Sequence, residues 1–339
     1  MAWAAVLHKT TNQRQERSHP TAAHRTQALR LGQQIVLGSL PAPSAAQAYA
    51  DLADARIRDC AAAAFGDRGL LQECVAVFAL GALGARQMTA ASPIDLIMVH
   101  DAHPEGDADR LAADCDEAFE TMACSVSGSA REALYTVQVH QGGAIDPIEA
   151  RLRRARPARL FALPQARLVW STSPALGARL RSTLAQVLRQ PRDRDRCART
   201  ASALRRRLAQ RHPSRGIWDC EREPGGLLDI EYLVRRIQIA HGSHGAPLIG
   251  PSSQALAALR QEAFLDDDAF ETLSEAFTLQ QQIAQTLAAA LPAGADPDAQ
   301  LPPIQAVLAC AAGSSSLDHL QARLKEARAA ACAAIAGVV

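Results

Sequence analysis

The stretch from Val75 to Val99 constrains the fold of this chain more than any other. Val75-Ala-Val-Phe-Ala-Leu80 is a short apolar run that ends at a glycine. Ile94-Asp-Leu-Ile-Met-Val99 is a second such run, reached through a connection carrying Gly81, Gly84, Thr89 and Ser92. Apolar runs this short, closed by turn residues, read as buried strands. A third run, Leu134-Tyr-Thr-Val-Gln-Val139, alternates and is rich in β-branched residues, and the polar stretch from Asp107 to Met122 before it reads as a helix. Strands alternating with helix predict a small α/β domain over residues 66–170.

The remainder reads as helical. Residues 1–24 are polar, lack a hydrophobic period and are expected to be disordered. A helical lead follows over 25–65, with Ser44 placed to cap its second helix and apolar residues recurring at Tyr49, Leu52, Ile57 and Ala61. Residues 171–339 form the expected helical domain. In it Phe270, Leu273 and Phe277 lie three and four apart, behind Asp266, Asp267 and Asp268 at a helix start, and Leu291–Asp298 reads as a loop.

Composition agrees with helices packed by small side chains. Of 339 residues 48% are hydrophobic but only 4% aromatic, so alanine and leucine must fill the core. Lys+Arg 36 against Asp+Glu 35 leaves a formal net charge of +1, which gives no overall attraction to nucleic acid or to an anionic membrane. Arginines cluster at 151–159 and 192–211. The second cluster is interleaved with Asp193, Asp195, Leu204 and Leu208, and no aromatic residue stands between its arginines to stack a base, so it reads as a solvated helix face. Eight cysteines without a CxxC pair read as buried thiols in a reducing compartment. No apolar run approaches the roughly 20 residues that span a bilayer, and Met1–Leu7 lacks the form of a signal peptide. These features predict a cytoplasmic protein without nucleic-acid or membrane partners. The histidines His100, His103, His140, His241 and His244 form no set with zinc spacing, and His241 and His244 read as helix-end residues.

The connection between the first two runs carries the chemistry. Glycines at 81 and 84 let backbone approach a phosphate and turn N–H groups toward it. The second strand presents Ser92 and Asp95. Carboxylates two apart on a strand share a face, and such a pair can hold two divalent metals beside a nucleoside triphosphate.

Phe78 to Asp101 resembles the adenylyltransferase half of bacterial glutamine synthetase adenylyltransferase, also called the adenylyl-removing enzyme. That family shows Gly-Lys-Leu-Gly-(Gly/Ser)-Arg-Glu-Met-Thr-x-x-Ser-Asp-x-Asp-Leu, matched here by Gly81, Leu83, Gly84, Arg86, Met88, Thr89, Ser92, Asp95 and Leu96. A second block, Trp218-Asp-Cys-Glu-Arg-Glu-Pro-Gly-Gly-Leu-Leu-Asp-Ile-Glu231 and its following helix to His241, resembles the family's Trp-Asp-x-Lys-x-x-x-Gly-Gly-x-x-Asp-Ile-Glu-Phe. The resemblance implies an α+β architecture: a nucleotidyltransferase-like domain of the DNA polymerase beta type followed by an all-helical bundle. It implies ATP and Mg2+ as cofactors. It implies glutamine synthetase and the PII signal protein as partners, the family reaction being AMP transfer from ATP to a tyrosine of glutamine synthetase. By the same resemblance Asp95 is the catalytic and metal-binding residue, and Gly81, Gly84, Arg86 and Ser92 are the nucleotide-binding ones.

The departures fall on the chemistry. The first acid of the Asp-x-Asp pair is Pro93, and the third expected carboxylate, in the family's Leu-Tyr-x-Val-Asp-Met-Arg strand, is Gln138, with His140 in place of the first arginine. Glu221 and Ala82 stand where the family has lysines. Asp101 is six residues beyond Asp95, roughly 20 Å along a strand, too far to share a metal. His140 is a conceivable ligand, although magnesium prefers oxygen. The expectation is a catalytically impaired copy. The alternatives are a working enzyme with a rearranged metal site and a non-catalytic module that binds glutamine synthetase or PII.

Overall fold

A computed structural model describes residues 20–66, 74–101, 108–128, 135–155 and 157–338. In chain order the elements are α1 (Pro20–Val36), α2 (Ala42–Phe65), β1 (Val75–Leu80), the single turn α3 (Gly81–Gly84), β2 (Ile94–His100), α4 (Ala108–Ser127), β3 (Val137–Ala144), α5 (Ile145–Arg153), the single turn α6 (Pro157–Leu160), β4 (Arg167–Ser171), α7 (Pro174–Leu188), α8 (Arg194–Arg211), α9 (Leu227–Ala240), α10 (Ser252–Gln261), α11 (Asp267–Ala290), α12 (Pro302–Ala311) and α13 (Leu317–Gly337).

The four strands form one mixed sheet in the order β3-β2-β1-β4. β1 runs antiparallel to both β2 and β4, and β2 runs parallel to β3, with α4 as the crossover between them. β1 is central and apolar throughout because helices cover both faces of the sheet. Val75, Val77 and Ala79, with Ile94, Leu96 and Met98 of β2, join the core formed with α2 and α4. Ala76 and Phe78, with Ile97 and Val99, face α5 and α7, where Ile148, Leu176 and Leu180 meet them. This alternation gives Asp95 its direction: it shares the face of Ile97 and Val99.

Helices α9, α10, α12 and α13 gather around α11. Its buried side, including Leu273, Ala276 and Phe277, meets α9, α10 and α13. Ile283 joins Leu308 of α12 and Leu320 and Leu324 of α13. The same helix also contacts α1 and α2, so it ties the sheet side of the molecule to the rest. The helix starts at the three acids as expected, and Asp266 caps it, its carboxylate accepting from Ala269 N at 2.7 Å.

Several expectations need correction. Helix α1 begins at Pro20, inside the segment expected to be disordered, while residues 1–19 lie outside the described residues. Ser44 is not a cap: α2 starts at Ala42 behind Pro41, which fixes an extended φ before the first turn. The third strand runs Val137–Ala144 instead of Leu134–Val139. It follows its parallel partner β2 to His100 and carries Gly142 and Gly143 along, and Leu134 lies outside the described residues. β4 was not foreseen, since Arg167-Leu-Val-Trp-Ser171 has no clean alternation and earns its place by pairing with β1. The thiols are not uniformly buried: Cys124, Cys310 and Cys332 are exposed.

Candidate functional site

A cleft of about 630 Å³ opens between the α3–β2 connection on one wall and α9 with α11 on the other. Three of the residues singled out in the sequence, Gly81, Ser92 and Asp95, line it, as does Pro93. The β1–β2 register sets Leu80 opposite Asp95, which drives the next residue, Gly81, onto the carboxylate. Gly81 has φ +56°, and a Cβ there would lie 2.8 Å from Asp95 Oδ2, so glycine is the residue that fits.

Asp95 is not a free ligand. Its Oδ1 is 3.0 Å from Nε2 of His140, and the side chains are 19% and 34% exposed. The parallel register pairs Asp95 with Gln138 and Ile97 with His140, so Gln138 and His140 share the face of Asp95. The position of the expected third carboxylate is therefore directly beside Asp95, and it holds an amide. Among the described residues no group of three His, Cys, Asp or Glu side chains is arranged to hold a metal.

The Ser92 hydroxyl is engaged within its own turn. It accepts from Thr89 N at 2.9 Å and shares a 3.1 Å hydrogen bond with the Thr89 hydroxyl. Gly84 and Arg86 are not among the cleft walls. Arg86, at φ +54°, instead pairs with Asp51 at 2.7 Å and Asp54 at 3.5 Å on α2. The physical reason lies in Asp54, which is 1% exposed and requires cations: Arg167 of β4 grips both its oxygens at 2.8 and 2.9 Å. Arg167 also donates to Leu83 O at 3.0 Å, fixing the glycine turn to α2 and β4.

The opposite wall comes from the second sequence block. Asp229 lies in the first turn of α9, accepts from Gly225 N at 2.7 Å and pairs with Arg205. Gly225 sits at φ +74° against the Arg328 backbone, 2.2 Å from where a Cβ would go. Arg328, 5% exposed, donates to Ile217 O at 2.7 Å, Asp219 O at 3.0 Å and Gln280 Oε1 at 3.0 Å, and Gln280 in turn donates to Gly225 O at 2.9 Å. The block is a stapled loop, and it presents Glu221, Arg222, Glu231, Tyr232 and Arg235 to the cleft. Glu231 pairs with Arg235, and Arg222 lies 3.3 Å from Asp219 and 4.0 Å from Glu221. The surrounding walls raise the Glu221 carboxyl above its ordinary range, opposed by Arg222 and assisted by Glu231 and Asp219. Burial likewise raises the Tyr232 hydroxyl.

Residues that sequence reasoning missed include Gln87, Phe161, Gln165 and Gln281. The signal for Gln281 was present as a run of three glutamines inside an otherwise apolar helical period, Gln280-Gln281-Gln282. Arg235 and Arg236 are engaged by Glu231 and by Val338 O respectively. Of the histidines, His100 is buried at the end of β2, His241 closes α9 against Phe264, and His103 lies outside the described residues.

No protein-family model matches the chain. Curated proteins do. The chain is 32% identical over 335 residues to the bifunctional glutamine synthetase adenylyltransferase/adenylyl-removing enzyme of Caulobacter vibrioides, covering 93% of this chain and 34% of that protein. It is 27% identical to the enzyme of the same name from Rhodopseudomonas palustris strain TIE-1 and 28% identical to that of a Bradyrhizobium species. Each match covers 87% of this chain and 32% of the relative. The chain thus spans about a third of the length of the curated relatives it matches. By these matches over nearly its whole length, it belongs to the family of the bifunctional glutamine synthetase adenylyltransferase/adenylyl-removing enzymes.

Proposed function

We propose that this chain is a catalytically impaired adenylyltransferase module of nitrogen regulation, acting in the cytoplasm. In this reading residues 66–170 are a nucleotidyltransferase-like domain of the DNA polymerase beta type, residues 25–65 lead into it, and residues 171–339 are its helical companion. The family reaction moves AMP from ATP to glutamine synthetase with Mg2+, under control by PII. One observation carries the impairment: of the three expected carboxylate positions only Asp95 holds an acid, and that acid is hydrogen-bonded to His140. The residues present do not fit magnesium. Pro93 has no donor atom, Gln138 offers a neutral amide, and an imidazole competes for the one carboxylate. Glu221 and Ala82, in place of the family's lysines, further reduce positive charge near any polyphosphate.

The test is transfer of labelled adenylyl from ATP to glutamine synthetase by the purified chain. None is expected. Magnesium-dependent labelling that disappears in Asp95→Ala would overturn the proposal. A paired restoration, Pro93→Asp with Gln138→Asp, should recover magnesium binding where neither change alone does, because two metals need acids from both strands.

A second reading, a non-catalytic module that binds glutamine synthetase or PII, draws support from the surface. Leu29 of α1, Leu37 just beyond its end, and Leu301, Ile304 and Val307 at α12 are exposed, and α1 contacts α12. Calorimetry with each partner, repeated with Leu29→Ser and Ile304→Ser, separates this reading from simple impairment.

A further inference from the structure

The formal net charge of +1 conceals a segregation. Residues 151–215 hold 18 arginines and two acids, Asp193 and Asp195, a formal charge of +16. The remaining residues hold 18 basic and 33 acidic side chains, a formal charge of −15. In the sequence these arginines form two runs separated by β4 and α7, and the fold brings the runs together. Leu152 of α5, Leu160 of α6, Val187 of α7, and Cys197 and Ala201 of α8 share one apolar cluster, and α6 lies against α8. Around that cluster Arg151 and Arg154 at the end of α5, and Arg196, Arg199, Arg206 and Arg207 of α8, are all exposed. The helical period sets the four on α8 opposite Cys197 and Ala201.

Other arginines of the stretch are already engaged. Arg167 grips Asp54, Arg179 pairs with Asp146 and Glu149, and Arg205 pairs with Asp229. None of the six outward arginines enters an ion pair among the described residues. Asp193 is engaged as the cap of α8, accepting from Arg196 N at 2.8 Å. Arg196 and Arg199 are neighbours on the helix surface, so the bare face repels itself.

The kind of anion that fits is set by what the surface lacks. A protein interface is built on apolar or aromatic anchors, and a helix lying on a membrane inserts apolar side chains. The exposed large apolar residues Leu29, Leu37, Val139, Leu301, Ile304 and Val307 all lie outside 151–215. The two aromatic residues of the stretch pack onto the protein, Phe161 on Tyr232 and Trp170 on Phe65, and offer no face to an unpaired base. Recognition by charge alone remains. Arg196 and Arg207 are eleven residues apart, about 16 Å along α8, and a duplex presents one phosphate charge per roughly 1.7 Å of its axis. Each of the four arginines can therefore meet a phosphate.

We propose that the outward face of α8, extended by the end of α5, binds the phosphate backbone of double-stranded nucleic acid without reading its sequence. None of the six arginines lines the cleft, so the proposal stands apart from the impaired-transferase reading and from any result on adenylyl transfer. The test is fluorescence anisotropy of a labelled DNA duplex of about 20 base pairs, titrated with the full chain. At about 50 mM salt a Kd of about 10 μM or tighter is expected, the same for unrelated duplex sequences. The logarithm of affinity should fall with the logarithm of salt at a slope of about −4. Arg199→Gln with Arg206→Gln should weaken binding about tenfold and bring the slope to about −2. Arg30→Gln with Arg58→Gln, the same charge change at exposed positions of α1 and α2, should leave both unchanged. If the first double variant fails to fold, Arg196→Gln with Arg207→Gln carries the same comparison. Absence of binding, tighter binding of the single strand, of polyglutamate or of anionic lipid vesicles than of the duplex, or unchanged affinity and slope in a folded α8 variant each overturns the proposal.

Discussion

The contact that sets the geometry of the cleft rim is also the one whose loss should be most visible. Asp54 is 1% exposed on α2, and Arg167 of β4 holds both its oxygens at 2.8 and 2.9 Å while donating to Leu83 O in the glycine turn. Arg167→Leu would leave a buried carboxylate with Arg86 at 3.5 Å as its remaining cation. Removing one partner of a buried pair costs about 3–5 kcal/mol, and the residual Arg86 contact places the expected loss near the lower end, about 3 kcal/mol. The double change Asp54→Leu with Arg167→Leu removes both charges and should be less destabilising than Arg167→Leu alone, because an apolar pair of similar volume has no desolvation to offset. Urea unfolding followed by circular dichroism, with m-values held constant, reads both quantities. A single-variant loss below about 1 kcal/mol, or a double variant no better than the single, would refute the claim that this pair rather than apolar packing locks the turn in place.

Two further outcomes follow from local geometry. Gly81→Ala forces a left-handed φ on a residue with a Cβ, costing about 1–2 kcal/mol, and presses that atom onto Asp95 Oδ2, so denaturation should show at least that loss. His24 is held at about 4 by burial and by Arg56, below its ordinary 6.5; the unfolded chain therefore takes up this proton first as pH falls. Its contribution to stability is complete above pH 6.5 and is lost between there and about pH 4, some 3 kcal/mol in total, and His24→Gln should flatten that acid limb of the stability profile.

Where local pattern and burial coincide, the sequence was readable. The strands Val75–Leu80 and Ile94–His100 could be placed because both faces of a central strand must be apolar. The capped start of α11 was legible in three consecutive acids. What could not be read depended on long-range partners. β4 exists through its pairing with β1, and the course of β3 past Val139 follows β2. The direction of Arg86 was hidden because its partners, Asp51 and Asp54, lie more than thirty residues away on a helix whose amphipathic pattern alone does not mark those acids as buried or exposed.

In the impaired-transferase reading proposed above, the departures from the family pattern follow a physical logic. Acids gathered around a metal repel one another when the metal is gone, so exchanging them for Pro93 and Gln138 relieves strain instead of creating it. Acids and arginines that hold backbone have no such freedom. Asp54 orders the glycine turn through Arg167, Asp229 closes the Gly225 loop, and Arg328 serves two carbonyls and Gln280. Replacing any of these exposes buried polar partners at once. A cleft drifting under fold stability alone should therefore shed its catalytic charges and keep its scaffold, and the replaced positions here agree.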